Sequence, residues 1–172
     1  MTLLRPIVEA DYTAVGEVHV RSWQVGYAGI VPADHLAALD PAVAAERRRT
    51  EPRPDGAQTL VAEEEDGRIV GFASFGPYRQ DGVIDRNAGE LYAIYVTPEQ
   101  WGRGVGRQLL TAARNSLKAS GYPEMRLWVL VENVRGRQFY ERMDLAPDGA
   151  VQTYTPRGST AELPELRYAT PL

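Results

Sequence analysis

Three glycines at alternate positions, Gly102, Gly104 and Gly106, stand between a strand-like segment and a helix-like one, with Arg103 and Arg107 interleaved. That combination suits the gripping of phosphate. The first amide N–H groups of a helix lack internal partners and point outward from the positive end of its dipole. Glycine lets the main chain come close to an anion, and a guanidinium can pair with phosphate bidentately. Two other phosphate motifs do not fit. A P-loop needs Gly-x4-Gly-Lys-Ser/Thr, and no lysine follows here. A dinucleotide fingerprint needs a third glycine where Arg107 or Leu109 stands. A plain strand-to-helix turn would account for one glycine pair, whereas three glycines and two arginines point to a ligand.

The surrounding elements must hold this loop in place. Residues 90–96, Glu-Leu-Tyr-Ala-Ile-Tyr-Val, are aromatic and branched, which predicts a strand leading into it. Behind the loop, Val105, Leu109, Leu110, Ala113 and Leu117 recur at helical spacing until Gly121-Tyr-Pro123. Upstream, a short strand is expected at 3–8. A helix follows from about Asp11 with His19, Trp23 and Tyr27 on one stripe, and a second helix over 33–49. Asp66-Gly67 predicts a hairpin joining 59–63 to 69–75, and residues 82–87 form a loop. Downstream come a strand with Met125, Leu127, Val129 and Val131 alternating, a helix over 134–143, a turn at Pro147-Asp-Gly149, and terminal strands near 152–154 and 166–169. This order predicts a single mixed α/β domain over residues 1–172, with a central, mostly antiparallel sheet flanked by helices.

Composition narrows the function. A formal charge of −4 over 172 residues argues against broad nucleic-acid or membrane binding, although a local basic patch suffices for a phosphorylated small molecule. With no cysteine, there is no disulfide and no thiol on which an acyl group could be parked. His19 and His35 are the only histidines, so no metal site is expected. No stretch approaches the roughly 20 apolar residues of a membrane span, and no signal peptide is apparent. The cytoplasm is the expected compartment.

Residues 91–110, Leu-Tyr-Ala-Ile-Tyr-Val-Thr-Pro-Glu-Gln-Trp-Gly-Arg-Gly-Val-Gly-Arg-Gln-Leu-Leu, resemble the acyl-coenzyme A motif of GNAT acetyltransferases, Arg/Gln-x-x-Gly-x-Gly/Ala. Gly104 and Gly106 fill its glycine sites. Trp101 stands in the leading position and Gln100 one residue early, a departure that alters the side chain but not the main chain. Residues 127–145, with Asn133 and Phe139-Tyr140-Glu141-Arg142-Met143, resemble the family's later strand–helix motif. The resemblance implies a GNAT-like sheet splayed at two adjacent strands, with acetyl-CoA as co-substrate. Trp101, Gly102, Arg103, Gly104, Val105, Gly106 and Arg107 would hold its diphosphate. Main-chain groups of Ile94, Tyr95 and Val96 would meet the pantetheine arm, and one N–H would polarise the thioester carbonyl, a contribution of about 3–4 kcal/mol. Asn133 would bond near the same arm, or cap a helix.

The resemblance also sets two proton problems. Presenting a free alkylamine at neutral pH costs about 4 kcal/mol, and Glu90 is the candidate to collect that proton, directly or through water. Tyr140 occupies the family's tyrosine position beside the departing thiolate. Full proton transfer from a phenol to a thiolate is uphill by about 2 kcal/mol, so Tyr140 would donate a hydrogen bond to nascent charge or act with a lowered pKa. Lack of cysteine implies direct attack in a ternary complex. Trp23 and Tyr27, one turn apart, could wall the amine pocket, or simply pack in the core. Tyr78, Arg79 and Asp81 could also face the acceptor. The expected acceptor is a small-molecule primary amine. A protein N-terminus or lysine, or a non-catalytic acyl-CoA-binding module, stays open, and a homodimer is compatible with the fold.

Overall fold

In the computed structural model, which describes residues 2–80 and 82–172, seven strands form one open sheet. They are β1 (Leu3–Pro6), β2 (Gln58–Glu63), β3 (Ile69–Gln80), β4 (Val83–Val96), β5 (Glu124–Leu130), β6 (Ala146–Tyr154) and β7 (Leu163–Pro171). The spatial order is β1-β2-β3-β4-β5-β7-β6. Every neighbouring pair is antiparallel except β4 and β5, which run parallel. The mixed α/β fold with a mostly antiparallel sheet is as the pattern predicted.

Among the described residues, five α-helices cover the sheet. On one face lie α1 (Tyr12–Gly26), α2 (Ala33–Ala37) and α3 (Pro41–Thr50); on the other lie α4 (Val105–Ala119) and α5 (Val134–Glu141). The stripe of Leu109, Leu110, Ala113 and Leu117 on α4 is fully buried against Phe75, Met125 and Leu127. Burying such side chains stabilises the fold by roughly 1.5–3 kcal/mol each. Gly89 lets α4 lie close against β4: a Cβ there would meet Leu117 Cδ2 at 2.8 Å. Across the sheet, Val15 and Val18 of α1 pack on Val61 and Phe72.

Three local expectations are corrected. The helix expected over 33–49 is two helices, because Pro41 has no N–H to continue α2 and instead opens α3, where Asp40 accepts from the Ala42 amide at 2.7 Å. Within residues 82–87, expected as a loop, Val83 onward extends the β3–β4 hairpin, with Tyr78, Arg79 and Gln80 opposite Asp85, Ile84 and Val83. Main-chain pairing, and the Asp85–Arg126 ion pair at 3.4 Å, outweigh the polar composition that suggested a loop. The turn at Pro147-Asp-Gly149 lies within β6 as an irregularity between Pro147 and Val151, from which Asp148 reaches Arg167 at 2.7 Å.

Candidate active site

Strands β4 and β5 part company almost as soon as they meet. They pair only at Gly89–Met125 and Glu90–Arg126. Directly beyond, β4 carries a bulge against β3: Leu91 faces Phe75 and Ala93 faces Ser74, so Tyr92 is the extra residue. A bulge bends and twists its strand, and here it turns the end of β4 away from β5. The parted ends leave main-chain groups facing a gap. Thr97 donates to the Val70 carbonyl of β3 at 2.9 Å, which fixes the alternation. Tyr95 therefore turns its main chain to β3, while Ile94 and Val96 turn theirs to the gap. The Val96 carbonyl is already taken, by Trp101 Nε1 at 2.7 Å and Ser22 Oγ at 3.0 Å. Of the three residues expected to serve a pantetheine arm, Ile94 keeps both groups free for the gap and Val96 its N–H.

A cleft of about 520 Å³ opens from this gap toward the glycine loop. Gly102 and Gly104 adopt positive φ of 76° and 86°, and Gly104 is the residue preceding α4. An L-side chain would strain either backbone, and a Cβ at either would meet nothing within 4 Å, so the cradle is open above them. No side chain caps the α4 N-terminus. Trp101, Gly102, Gly104, Gly106 and Arg107 line the cleft. Arg103 is exposed outside this wall with its amide tied to the Gln100 carbonyl at 3.3 Å, and the Val105 side chain is buried in the core beneath. Arg135 of α5 lays its guanidinium 3.4 Å from the Trp101 ring centre, adding a positive charge that sequence reasoning had missed. Its local setting, exposed on an eight-residue helix, gave no signal of this.

A second cavity, of about 240 Å³, opens from the other side of the gap. Tyr27, Ile94, Tyr95, Asn133 and Tyr140 line both hollows, which therefore adjoin. Tyr140 sits at that junction, its ring 5.3 Å from Phe139 and 6.3 Å from Tyr168. Burial, and then the Tyr95 phenol, push its acidity well below that of an ordinary tyrosine, so the hydroxyl stays protonated. The lowered pKa entertained for it is not found. Asn133 caps α5, its Oδ1 accepting from the Gly136 amide at 3.0 Å, with its amide group at the lip of both hollows.

Glu90 lines the second cavity and is only 7% exposed. Burial raises its pKa, more than the Arg79 amide at 3.0 Å and the Arg79 guanidinium at 3.8 Å lower it. Trp23 and Tyr27 form part of the wall, edge to face with ring centres 4.8 Å apart. Glu165, Gln152, Trp128 and Tyr154 complete it. These four were missed, because only the β5–β7 and β6–β7 registers, Leu130 opposite Glu165 opposite Gln152, bring them there. Tyr78 does not face the cavity; it is fully buried between the guanidinium groups of Arg126 and Arg167. Asp81 lies outside the described residues.

Comparison with known proteins decides the family. The model of the Acetyltransferase (GNAT) family matches residues 17–145. The chain belongs to the GNAT acetyltransferase family. It is 34% identical over 133 residues to the N-acetyltransferase YuaI of Bacillus subtilis, covering 77% of this chain and 74% of that one. It is 25% identical over 166 residues to the probable N-acetyltransferase Rv2775 of Mycobacterium tuberculosis, covering 96% and 91%. Among solved structures, the PaiA N-acetyltransferase of Thermoplasma acidophilum in complex with coenzyme A superposes with a TM-score of 0.69 at 22% identity, covering 100% of this chain and 99% of that one. The GNAT fold and N-acetyltransferase activity imply an acyl-CoA donor. The residues present fit one: a glycine-lined helix start, arginines beside it, and a slot between strands with free main-chain groups. No helix among the described residues is long and apolar enough to cross a membrane.

Proposed function

We propose that this GNAT acetyltransferase moves an acetyl group from acetyl-CoA to the primary amine of a small molecule, by direct attack in a ternary complex. One observation carries this reading. The slot that begins at the glycine loop and the cavity that contains Glu90 adjoin at Tyr140, so donor and acceptor would meet beside an acid–base pair.

The amides at the start of α4 hold the diphosphate, with Arg107 and Arg135 beside them. Ile94 and Val96 offer N–H groups to the arm and to the thioester carbonyl, where charge develops. Glu90, made more basic by its burial, takes the ammonium proton, directly or through one water. The amine nitrogen then bonds to the acyl carbon. As the carbon–sulfur bond breaks, the electron pair goes to sulfur; the protonated Tyr140 passes its proton to it and regains one, directly or through water, from the nitrogen that has just bonded to the acyl carbon. The products are an amide and a free thiol. The second cavity's volume favours a small acceptor over a protein segment.

Thiol release from acetyl-CoA across a panel of amines and peptides tests the proposal, with the Tyr140→Phe variant alongside. An enzyme of this kind turns over a narrow group of amines. The variant should lose about 100-fold in kcat or more while binding CoA as the native chain does. Turnover unaffected by that change, or no association with CoA by calorimetry, would overturn it.

A further inference from the structure

We propose that the acceptor carries a second positive charge, remote from the nitrogen that reacts, and that Glu165 holds it. The inference rests on the acetyl-transfer reading above and names the class of amine.

Glu90 and Glu165 are the only charged side chains in the wall of the acceptor cavity among the described residues. Elsewhere the chain matches its half-buried carboxylates with arginine. Glu63 meets Arg5 at 2.5 Å, Asp85 meets Arg126 at 3.4 Å, Glu64 pairs with Arg68, and Glu124 pairs with Arg126. Glu165 is half-buried and has no such partner among the described residues, where its one bond is from Gln152 Nε2 at 2.7 Å. The arginines near this face are committed elsewhere. Arg47 and Arg157 both hold Glu51, Arg167 holds Asp148 and the Tyr78 hydroxyl, and Arg48 stacks on the Phe72 ring at 4.3 Å, outside the cavity wall.

A carboxylate taken from water without a counter-ion is costly. Here burial raises the pKa of Glu165, and the charge of Glu165 in turn raises that of Glu90. A ligand ammonium at Glu165 relieves both. The walls suit a cation, with the rings of Trp23, Tyr27 and Tyr154 turned on the same space. A second feature marks this wall as incomplete on its own. Trp23 Nε1 is buried and has no hydrogen-bond partner among the described residues, with the Tyr95 phenol close but outside bonding geometry. Spacing then sets the ligand. Glu90 faces Arg126 on β5 and Glu165 faces Leu130, four residues on, so the two rows lie ~13 Å apart along the strand. Side chains reaching inward from those rows leave a gap that a short aliphatic diamine spans and a monoamine does not.

The test compares putrescine and cadaverine with butylamine, γ-aminobutyrate and a lysine-containing peptide, in acetyl-CoA-dependent thiol release. The diamines should exceed butylamine by about tenfold or more in kcat/KM. Glu165→Gln should bring that ratio close to one, mainly by raising KM for the diamines, and Glu165→Asp should retain part of it. Turnover of monoamines with no diamine preference, a preference for γ-aminobutyrate or peptide, or a diamine preference that survives Glu165→Gln would each overturn the inference while leaving acetyl transfer intact. No turnover with any amine, together with no calorimetric binding of putrescine to the CoA-loaded protein, would sink both.

Discussion

His19 offers the sharpest quantitative check on how this face of the sheet is packed. Its ring stacks on Tyr95 with centres 5.1 Å apart and planes 6° from parallel, and it also lies against Trp23 and Phe72. Burial, followed by the charges of Arg48 and Arg47, lowers its pKa from 6.5 to about 4. The native state therefore holds a neutral imidazole where the unfolded chain takes up a proton, and stability present above pH 6.5 is lost as pH falls toward 4. Each pH unit of displacement is worth about 1.36 kcal/mol, so the loss is about 2 kcal/mol by pH 5 and about 3 kcal/mol by pH 4. Carboxylates such as Asp11 and Asp85, whose pKa values are lowered by the Arg5 bond and by the Asn87 amide, add their own acid sensitivity at lower pH. Comparison with His19→Phe removes that background. Urea unfolding of both proteins between pH 7.5 and 4.5 should show the native chain losing about 2.5 kcal/mol more than the variant. Parallel pH dependences would mean that the imidazole is solvated, and the packing of α1 on β4 described above would be wrong.

Three further outcomes follow from the site. Glu90→Gln should cost about 100-fold in kcat and abolish the acid limb of the pH–rate profile; because Glu90 must be ionised to act and burial raises its pKa, that limb should lie above the ordinary carboxylate range. An unchanged profile would remove Glu90 from the mechanism. Arg135→Ala should weaken CoA binding by about tenfold in calorimetry, since it deletes the cation stacked on Trp101 at the cleft; an unchanged Kd would make that stack purely structural. Gly136→Ala would set a Cβ 2.5 Å from Asn133 Nδ2 and expel the cap of α5, lowering stability by about 1 kcal/mol in thermal or urea melts. Asn133→Ala should cost a similar amount, and the two changes should not add, because they remove one interaction.

Much of the architecture was legible because its signals are local. The stripe on α4, the dense apolar run of β4 and the Asp66-Gly67 turn each state their structure within a dozen residues. The glycine loop was legible for the same reason: consecutive residues build it. The acceptor wall was not, since Glu165, Gln152 and Trp128 become neighbours only through cross-strand registers set by the whole sheet. The role of Trp101 was hidden differently. Its position suggested a missing polar side chain, yet its indole N–H still supplies a donor, which the strand's own Val96 carbonyl uses. The misread 82–87 segment shows composition yielding to pairing: Val83, Ile84 and Asp85 pair with β3 despite their loop-like surroundings, and Arg86 and Asn87 bulge from the same strand.

The shared boundary at Tyr27, Ile94 and Tyr140 has a bearing on which thioesters the chain can use. On the proposed chemistry the acyl carbon sits at that boundary, so every methylene added to the donor's tail would occupy room that the nucleophile requires. Propionyl and butyryl donors would gain apolar contact and yet crowd out their own reaction partner, so affinity and rate would move in opposite directions along the homologous series. On the proposed chemistry, preference for a two-carbon group needs no dedicated stop at the end of a tunnel. Rivalry for a common chamber enforces it.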